Sequence, residues 1–202
     1  MAAIRPIATD MPTPKPVASG AQEKSSRRKK HGRIVSLFTA CSMDGFIAST
    51  TEEIGWLFHD RDYGYQKFYS SVDSVLVGRV TYDQALTFAD NPFQGKHTYV
   101  FTRSGRGAGG AGVEFIRDDP AGFTRSLKTA EGGKIWLVGG AQINGLLMRA
   151  GLVDEIVASI HPVVLGAGRP LFGMEAGERK YELVKCKTFT SGLVQLTYRL
   201  KA

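Results

Sequence analysis

The alternation of apolar and polar positions predicts a series of strands and helices that begins at about residue 33. Residues 34–41 form a nearly unbroken apolar run, which is typical of a central strand buried on both faces. Tyr65, Phe68, Tyr69 and Val72 recur at helical spacing and predict an amphipathic helix. Further short apolar runs predict strands at 74–78, 97–102, 113–116 and 135–138, with helices after the first and the last of them.

Capping residues support this order of elements in the middle of the chain. Asp119 followed by Pro120 predicts the start of a helix, because the aspartate can cap it and proline suits its first position. Gly132-Gly133 predicts the end of the same helix. Residues 134–172 then repeat the order of strand, helix and strand.

The C-terminal part of the chain has the pattern of a β-hairpin. Residues 181–189 and 193–200 are strand-like and flank Ser191-Gly192. In the second of these strands, Val194 and its apolar neighbours alternate with Gln195 and other polar residues, which predicts one buried face. The whole pattern predicts an α/β fold of three layers: a mixed, mostly parallel sheet, helices on both of its faces and a closing hairpin.

Two glycine-to-helix junctions mark a candidate phosphate site. Gly139-Gly140 separates a predicted strand from a helix, and Gly78, Arg79 and Thr81 form a second junction of this kind. Glycine lets a ligand approach the main chain, and the unpaired amides of a helix N-terminus favour a phosphate. Each junction alone could be structural, but two at adjacent strand ends would share one crevice. Neither junction carries the fingerprint G-x-G-x-x-G or G-x-x-x-x-G-K-[ST].

A third polar cluster follows the strand predicted at 97–102. Thr102, Arg103 and Ser104, with Arg106 close behind, combine hydroxyl groups with guanidinium groups. Such a cluster suits an additional phosphate, such as the 2′-phosphate of NADP, although an ordinary polar loop would have the same composition.

The distribution of charge sets the first 30 residues apart from the rest of the chain. The formal net charge is +7, of which residues 1–30 contribute +5. Their prolines and small polar residues predict a disordered tail, and SSRRKK within it could also be a nucleic-acid or membrane-surface patch or an address signal. We therefore predict a basic tail at 1–30 and one domain at 31–202.

The rest of the composition favours a cytoplasmic protein. Cys41 and Cys186 lie far apart in strand-like segments, which predicts reduced thiols and neither a disulfide framework nor a metal site. No apolar run approaches the roughly 18 residues that a membrane helix needs.

Five motifs together resemble the dihydrofolate reductase-like superfamily, and most of all the reductase domain of bacterial bifunctional riboflavin-biosynthesis deaminase-reductases and its stand-alone relatives. They are SMDGFIA (42–48), VGRVTY (77–82), WLVGGAQI (136–143), GLVDEI (151–156) and the P-x-x-L-G-x-G-x-P-L-F run at 162–172. The resemblance covers residues 33–200.

The resemblance implies NADPH bound in an extended pose across the carboxyl ends of the sheet. In dihydrofolate reductases the Gly-Gly bond that corresponds to Gly139–Gly140 is cis. The residues implied in cofactor binding fall into three groups. Those near the phosphates are Gly78, Arg79, Thr81, Val138, Gly139, Gly140, Ala141, Gln142 and Ile143; those at the adenosine end are Thr102, Arg103 and Ser104; those beside the nicotinamide are Thr39, Ala40 and Ile47.

The resemblance also implies a proton donor and a substrate pocket. Dihydrofolate reductases place one carboxylate a few residues after a tryptophan, and here Trp56 is followed by Asp60 and Asp62, in a shifted register. Asp44 of the SMDGFIA motif is the other candidate, although each of these acids could instead have a structural role. Ser159 is implied to face the substrate with Trp56.

The implied function is that of an NADPH-dependent reductase similar to 5-amino-6-(5-phosphoribosylamino)uracil reductase of riboflavin biosynthesis. The segment between the first strand and VGRVTY is shorter than is usual in that branch and lacks its extra arginine and serine residues. A pterin-type reductase and a nucleotide-binding protein without catalysis are therefore alternatives. A homodimer is implied by the resemblance and by the apolar C-terminal hairpin. His161 is interpreted as structural, and nucleic-acid binding would rest on SSRRKK alone.

Overall fold

The computed structural model describes residues 32–104, 111–173 and 176–201, so the predicted tail at 1–30 lies outside the described residues. The strands are β1 (Val35–Ser42), β2 (Phe46–Ala48), β3 (Val72–Gly78), β4 (His97–Phe101), β5 (Val113–Ile116), β6 (Lys134–Gly139), β7 (Glu155–His161), β8 (Arg169–Pro170), β9 (Tyr181–Thr188) and β10 (Val194–Leu200). The helices are α1 (Tyr65–Ser71), α2 (Arg79–Leu86), α3 (Pro120–Thr129) and α4 (Ala141–Arg149).

Eight strands form one mixed sheet in the order β5-β4-β3-β6-β1-β7-β10-β9. The pairs from β5 to β7 are parallel, whereas β10 is antiparallel to both β7 and β9. The predicted mostly parallel sheet with a C-terminal hairpin is therefore confirmed. A separate short pair, β2 with β8, was not predicted as a pair, because β8 has only two residues and no periodicity to detect.

Helices cover both faces of the sheet because the central strands are apolar on both sides. Phe123 of α3 and Leu147 of α4 pack on one face with Leu37 and Leu137. Phe68 of α1 and residues of α2 pack on the opposite face around Trp136, which is fully buried. The three-layer arrangement is confirmed.

The predicted buried face of the last strand is wrong for the single chain. Val194, Leu196 and Tyr198 are only half-buried, and most of the neighbouring strand β9 is exposed on both faces. The apolar alternation in β10 is real and Tyr198 packs against the core, but β10 and β9 are the last two strands at one end of the sheet. Among the described residues, no helix is long and apolar enough to cross a membrane.

Strand β1 changes neighbours along its length, and this change creates a cleft. It pairs with β6 only from Val35 to Leu37, whereas its pairing with β7 continues to Ser42. Strand β6 meanwhile stays with β3, where Gly139 is opposite Val77. The carboxyl ends of β1 and β6 therefore diverge, and the sheet opens between them, as at the switch points where α/β sheets bind ligands.

Candidate functional site

The two glycine junctions lie side by side at the carboxyl edge of the sheet. Strands β3 and β6 are neighbours, so α2 and α4, which follow them, begin next to each other. The main-chain N–H of Gly140 donates to Thr81 Oγ1 at 3.1 Å and joins the two junctions directly. The predicted juxtaposition of the two helix N-termini is present.

The space at these junctions exists because the residues are glycines. A Cβ at Gly140 would lie 2.9 Å from Thr81 Oγ1, and one at Gly78 would lie 3.3 Å from Cγ1 of Ile143. Among the described residues, no side chain caps the N-terminus of α2 or α4, so no side-chain cap competes with a ligand for the amides there. A phosphate group fits this chemistry, because it needs close approach to the main chain and several N–H donors. The Gly139–Gly140 peptide bond is cis, as the family resemblance implied.

Arg79 stands at the start of α2 with its charge partly satisfied. Its Nε donates to both carboxylate oxygens of Asp83, one turn along the helix, at 2.7 and 2.8 Å. The guanidinium also lies over the ring of Phe115, with 5.4 Å to the centroid. A phosphate bound here would share Arg79 with Asp83, so Arg79 lies at the predicted place but is not an isolated cation.

The cluster at the end of β4 is organised by its hydroxyl groups. Thr102 Oγ1 is 3.1 Å from Ser104 Oγ and accepts the Ser104 amide at 3.3 Å, while Arg103 between them is exposed. Arg106, which was predicted to belong to this cluster, lies outside the described residues.

The remaining predicted cofactor residues lie around the cleft. Thr39, Ala40 and Ile47 are buried at its β1 side. The carbonyl oxygens of Ile34 and Phe38 point toward β6, where they accept from Ile135 N and Trp136 Nε1. Main-chain groups of alternate residues point the same way in a strand, so the N–H and C=O of Ala40 face the cleft. At its β6 side the chain runs through Val138, Ala141, Gln142 and Ile143.

Asp44 has a well-defined structural role in the turn after β1. Its carboxylate accepts from the Ser42 hydroxyl at 2.6 Å and from the amides of Leu165 and Gly166 at 3.2 and 2.7 Å. The Ser42 bond in particular holds the pKa of Asp44 below its usual range. The SMDGFIA motif is thereby tied to the loop that follows β7.

Asp60 and Asp62 lie on the segment that leads into α1. Asp62 Oδ1 accepts the Gln66 amide at 2.8 Å and Oδ2 accepts the Gly64 amide at 3.1 Å, so this side chain stabilises the start of the helix. Asp60 accepts from the Tyr63 hydroxyl at 2.6 Å, which is the main reason that the pKa of Asp60 lies below its usual range. Asp60 and Asp62 are thus close in sequence but have different partners.

Aromatic side chains of the same segment cover the end of β7. Trp56 and Phe58 contact the ring of His161, with 5.3 and 5.0 Å between centroids. His161 is buried, and burial lowers its pKa, so the imidazole is neutral at physiological pH. Its Nδ1 is 3.2 Å from the Ser159 carbonyl oxygen. The indole N–H of Trp56 is buried and has no partner among the described residues.

Sequence reasoning missed two residues that contact Ser159 or its neighbours. Gln195 Nε2 donates to Ser159 Oγ at 3.0 Å and to the Tyr63 carbonyl oxygen at 3.1 Å. Gln195 was visible only as a polar position in an alternating strand, which ordinarily indicates solvent. Tyr63 precedes a glycine at a helix start, and nothing in the pattern indicates its left-handed backbone, with φ of 49°.

No group of side chains in residues 32–104, 111–173 and 176–201 could hold a metal ion.

The chain is similar to proteins of known sequence along most of its length. The uncharacterized protein YwjB of Bacillus subtilis (strain 168) is 39% identical over 166 residues, which are 80% of this chain and 95% of YwjB. The crystal structure of a proposed riboflavin biosynthesis protein from Shewanella sp. PV-4 is 26% identical, has a TM-score of 0.74, and matches 84% of this chain and 99% of its own.

Two more distant structures establish the fold. Dihydrofolate reductase from Enterococcus faecalis, solved with NADP(H), is 15% identical with a TM-score of 0.60, over 84% of this chain and 97% of its own. The diaminohydroxyphosphoribosylaminopyrimidine deaminase/5-amino-6-(5-phosphoribosylamino)uracil reductase of Thermotoga maritima is 17% identical with a TM-score of 0.64, and 85% of this chain matches 58% of that protein. The fold is therefore that of dihydrofolate reductase. Residues 33–195 match the RibD C-terminal domain, and the chain belongs to this family.

Proposed function

We propose that the protein is an NADPH-dependent reductase that delivers hydride to a heterocycle, with the pyrimidine ribosylamine of riboflavin biosynthesis as the leading substrate class. The observation that carries the proposal is the pair of uncapped helix N-termini joined by the Gly140–Thr81 hydrogen bond. This pair occurs in a member of the RibD C-terminal domain family, beside a cleft in the sheet.

Each part of the cofactor has residues to bind it in this proposal. Gly139 and Gly140 would bind the pyrophosphate, with Gly78, Arg79 and Thr81 beside it, and Arg103 with its two hydroxyl neighbours would bind the adenosine end. The Ala40 main chain would bind the carboxamide. NADPH bound in this way would supply the hydride. The chain itself would orient the ring, exclude water with Trp56 and Phe58, and position the substrate.

The direct test is thermal melting of the protein with NADPH and, in parallel, with NADH. A ligand at about 100 times its Kd stabilises the folded state by roughly 2.7 kcal/mol, which raises the melting temperature by several degrees. We expect a larger shift with NADPH than with NADH. Arg103→Ala should bring the two shifts close together, because the exposed guanidinium is the cation proposed for the 2′-phosphate. Equal shifts in the wild-type protein would contradict NADPH selectivity, and no shift with either would contradict the proposed function.

Asp60 is the carboxylate that we propose for proton delivery. Asp44 and Asp62 each accept main-chain amides that stabilise a turn or a helix start, whereas the partners of Asp60 are Arg61 and the Tyr63 hydroxyl. Tyr63 in turn contacts Gln195, next to Ser159. Because the pKa of Asp60 is low, its carboxylate is ionised at neutral pH and would pass on a proton from water rather than store one.

We expect Asp60→Asn to reduce NADPH oxidation at least tenfold while the NADPH-induced rise in melting temperature stays unchanged. A properly placed acid–base group contributes on the order of 10²–10⁴ in rate. In contrast, Asp44→Asn and Asp62→Asn should chiefly lower the melting temperature of the free protein, because each carboxylate accepts hydrogen bonds with both oxygens and asparagine keeps only one acceptor oxygen. Absorbance of NADPH with the phosphoribosylaminouracil as acceptor gives the rate. Full turnover by Asp60→Asn would remove Asp60 from the mechanism.

A dihydropterin is the second candidate substrate, and the charges around Tyr63 and Phe189 favour it. Arg61 Nε pairs with Asp60 at 3.2 Å, and Lys187 Nζ lies over the Phe189 ring at 4.4 Å, so both cations are engaged. A neutral ring needs no cation, whereas a ribose phosphate does. Turnover of a dihydropterin but not of the phosphoribosylaminouracil would select this candidate. NADPH binding without turnover of either would favour the non-catalytic alternative.

We also propose that a second copy of the chain covers the C-terminal hairpin. Leu183 and Val184 on β9 are 54% and 43% exposed, and Leu196 on β10 is only half-buried. An edge strand with exposed apolar side chains tends to associate with another chain. Pairing of two copies would bury these side chains. Light scattering at micromolar concentration should give the mass of a dimer, and Leu183→Lys should give a monomer. A monomer mass for the wild-type protein would rule out this interface.

A further inference from the structure

Ser159 and Gln195 lie opposite each other on neighbouring strands and point to the same face of the sheet. They form a cross-strand pair between β7 and β10, and Ala40 of β1 is the partner of Ser159 on its other side. Val157, two residues before Ser159, packs on the same face in the cluster that contains Phe68 of α1. Ser159 therefore faces the space under the segment that carries Trp56, and it is 6% exposed.

The orientation of the Gln195 amide is fixed by the Tyr63 carbonyl. The same nitrogen is 3.1 Å from the Tyr63 carbonyl oxygen and 3.0 Å from Ser159 Oγ. A carbonyl oxygen only accepts hydrogen bonds, so the amide oxygen of Gln195 cannot occupy this position. The Gln195 amide must therefore be the donor to Ser159 as well.

Tyr63 is in turn held from several sides, so its carbonyl is a fixed point. Its hydroxyl donates to Asp60 Oδ1 and lies 2.9 Å from Ser191 Oγ. Its ring contacts the Phe189 ring with 4.8 Å between centroids. Its φ of 49° is unfavourable for a residue with a side chain and persists where the surroundings determine it.

This arrangement leaves the Ser159 hydrogen for another partner. A hydroxyl has one hydrogen and two lone pairs, and the bond from Gln195 uses a lone pair. Within the described part of the chain, no acceptor is paired with the Ser159 hydrogen. A nearly buried hydroxyl hydrogen beside the cleft is thus available to a bound molecule.

We infer that Gln195 is a positioning residue that holds the Ser159 hydroxyl as a hydrogen-bond donor. The site then selects a heterocycle with an acceptor opposite Ser159, either a carbonyl oxygen or an unprotonated ring nitrogen. The inference rests on the proposed function, because it takes the cleft beside Ser159 as the substrate site. It adds a specificity rule: an exocyclic amino group, which donates, is rejected where a carbonyl oxygen is accepted, since two donors would face each other.

The test compares two probes with one ring skeleton, pteridine-2,4-dione and 2,4-diaminopteridine. Calorimetry is carried out on the protein saturated with NADP⁺, so that no turnover occurs. The wild-type protein should bind the dione about tenfold more tightly than the diamine, the ratio expected for one good hydrogen bond. Ser159→Ala should abolish this preference.

Gln195→Glu gives a readout that a merely structural role would not change. A carboxylate only accepts, so it would turn away from the Tyr63 carbonyl oxygen, take the Ser159 hydrogen and leave a lone pair of the Ser159 oxygen toward the ligand. The preference should then reverse, by about tenfold toward the diamine. Gln195→Met, which has a similar shape without donors, should give no preference, and Thr197→Val, two residues along the same strand face, should keep the wild-type preference. Melting of each variant confirms that it folds.

The outcomes separate this inference from the proposed function. An unchanged preference in Gln195→Glu, or no binding of either probe by a protein that binds NADP⁺, would overturn the role of Gln195 and leave the reductase proposal standing. Failure to bind NADP⁺ at all would overturn both.

Discussion

Replacing Gly139 with alanine is expected to reduce strongly the stabilisation of the protein by NADPH. Gly139 has φ of 99°, a conformation that costs a residue with a Cβ about 1–2 kcal/mol. A Cβ would also lie 2.5 Å from Oδ1 of Asn144, which is 1% exposed and whose Nδ2 bonds to the Leu171 carbonyl oxygen. Because Asn144 cannot move without breaking that bond, the strand end and the α4 N-terminus must shift instead. We expect at least a tenfold loss of NADPH affinity, measured from melting temperatures across a titration.

Gly151→Ala is the matched control for this substitution. Gly151 also has a left-handed backbone, with φ of 67°, but a Cβ there would meet no atom within 4 Å. Its variant should therefore lose stability from backbone strain and keep the full NADPH response. If Gly139→Ala also kept the full response, the phosphate would not approach this junction.

The largest loss of stability is expected from Trp136→Ala. The indole is 0% exposed and makes edge contacts with Phe68, Tyr65 and Phe93, with centroids 5.7–5.9 Å apart. Truncating a buried tryptophan costs about 3–5 kcal/mol, a large part of the 5–15 kcal/mol that holds a typical domain folded. The Phe38 carbonyl would also lose the indole N–H as its donor. Urea unfolding should give a much lower midpoint or an unfolded protein.

Two further variants identify the cause of that loss. Trp136→Phe keeps most of the ring contacts but removes the N–H donor. Its stability should therefore lie between that of the wild-type protein and that of Trp136→Ala. Phe88→Ala removes an aromatic ring that is 41% exposed and should change stability by about 0.5 kcal/mol or less. If the free energy of unfolding of Trp136→Ala lay within about 1 kcal/mol of the wild-type value, neighbouring side chains would have to fill the cavity.

The fold could be predicted because its signals are local. The apolar run of β1, the Asp119-Pro120 helix start and the Ser191-Gly192 turn each specify a short piece of structure, and alternation of strands and helices leaves few topologies. The burial of β10 could not be predicted in this way. Periodicity shows that one side of a strand is apolar, but not whether a helix, a second chain or water lies against it.

The candidate site could be predicted only where the main chain makes it. Gly78, Gly139 and Gly140 were identified because glycine at the end of a strand allows a ligand to approach the main chain closely. The partners of Ser159 were not, because Gln195 is 36 residues away and its orientation depends on the Tyr63 carbonyl. Contacts of this kind come from tertiary packing and leave no periodic trace. The sequence left open whether Asp44 and Asp62 have structural roles. In the structure, both side chains accept hydrogen bonds from main-chain amides.

The divergence of β1 from β6 has a consequence for how such a site can change over generations. The N–H and C=O of Ala40 face the cleft whatever side chain residue 40 carries, so recognition there tolerates substitution. Side chains that would line the proposed substrate space, such as Ser159 and Gln195, have no such tolerance. Under the proposed function, one scaffold could therefore keep the same nucleotide while its substrate changes through a few substitutions on β7 and β10.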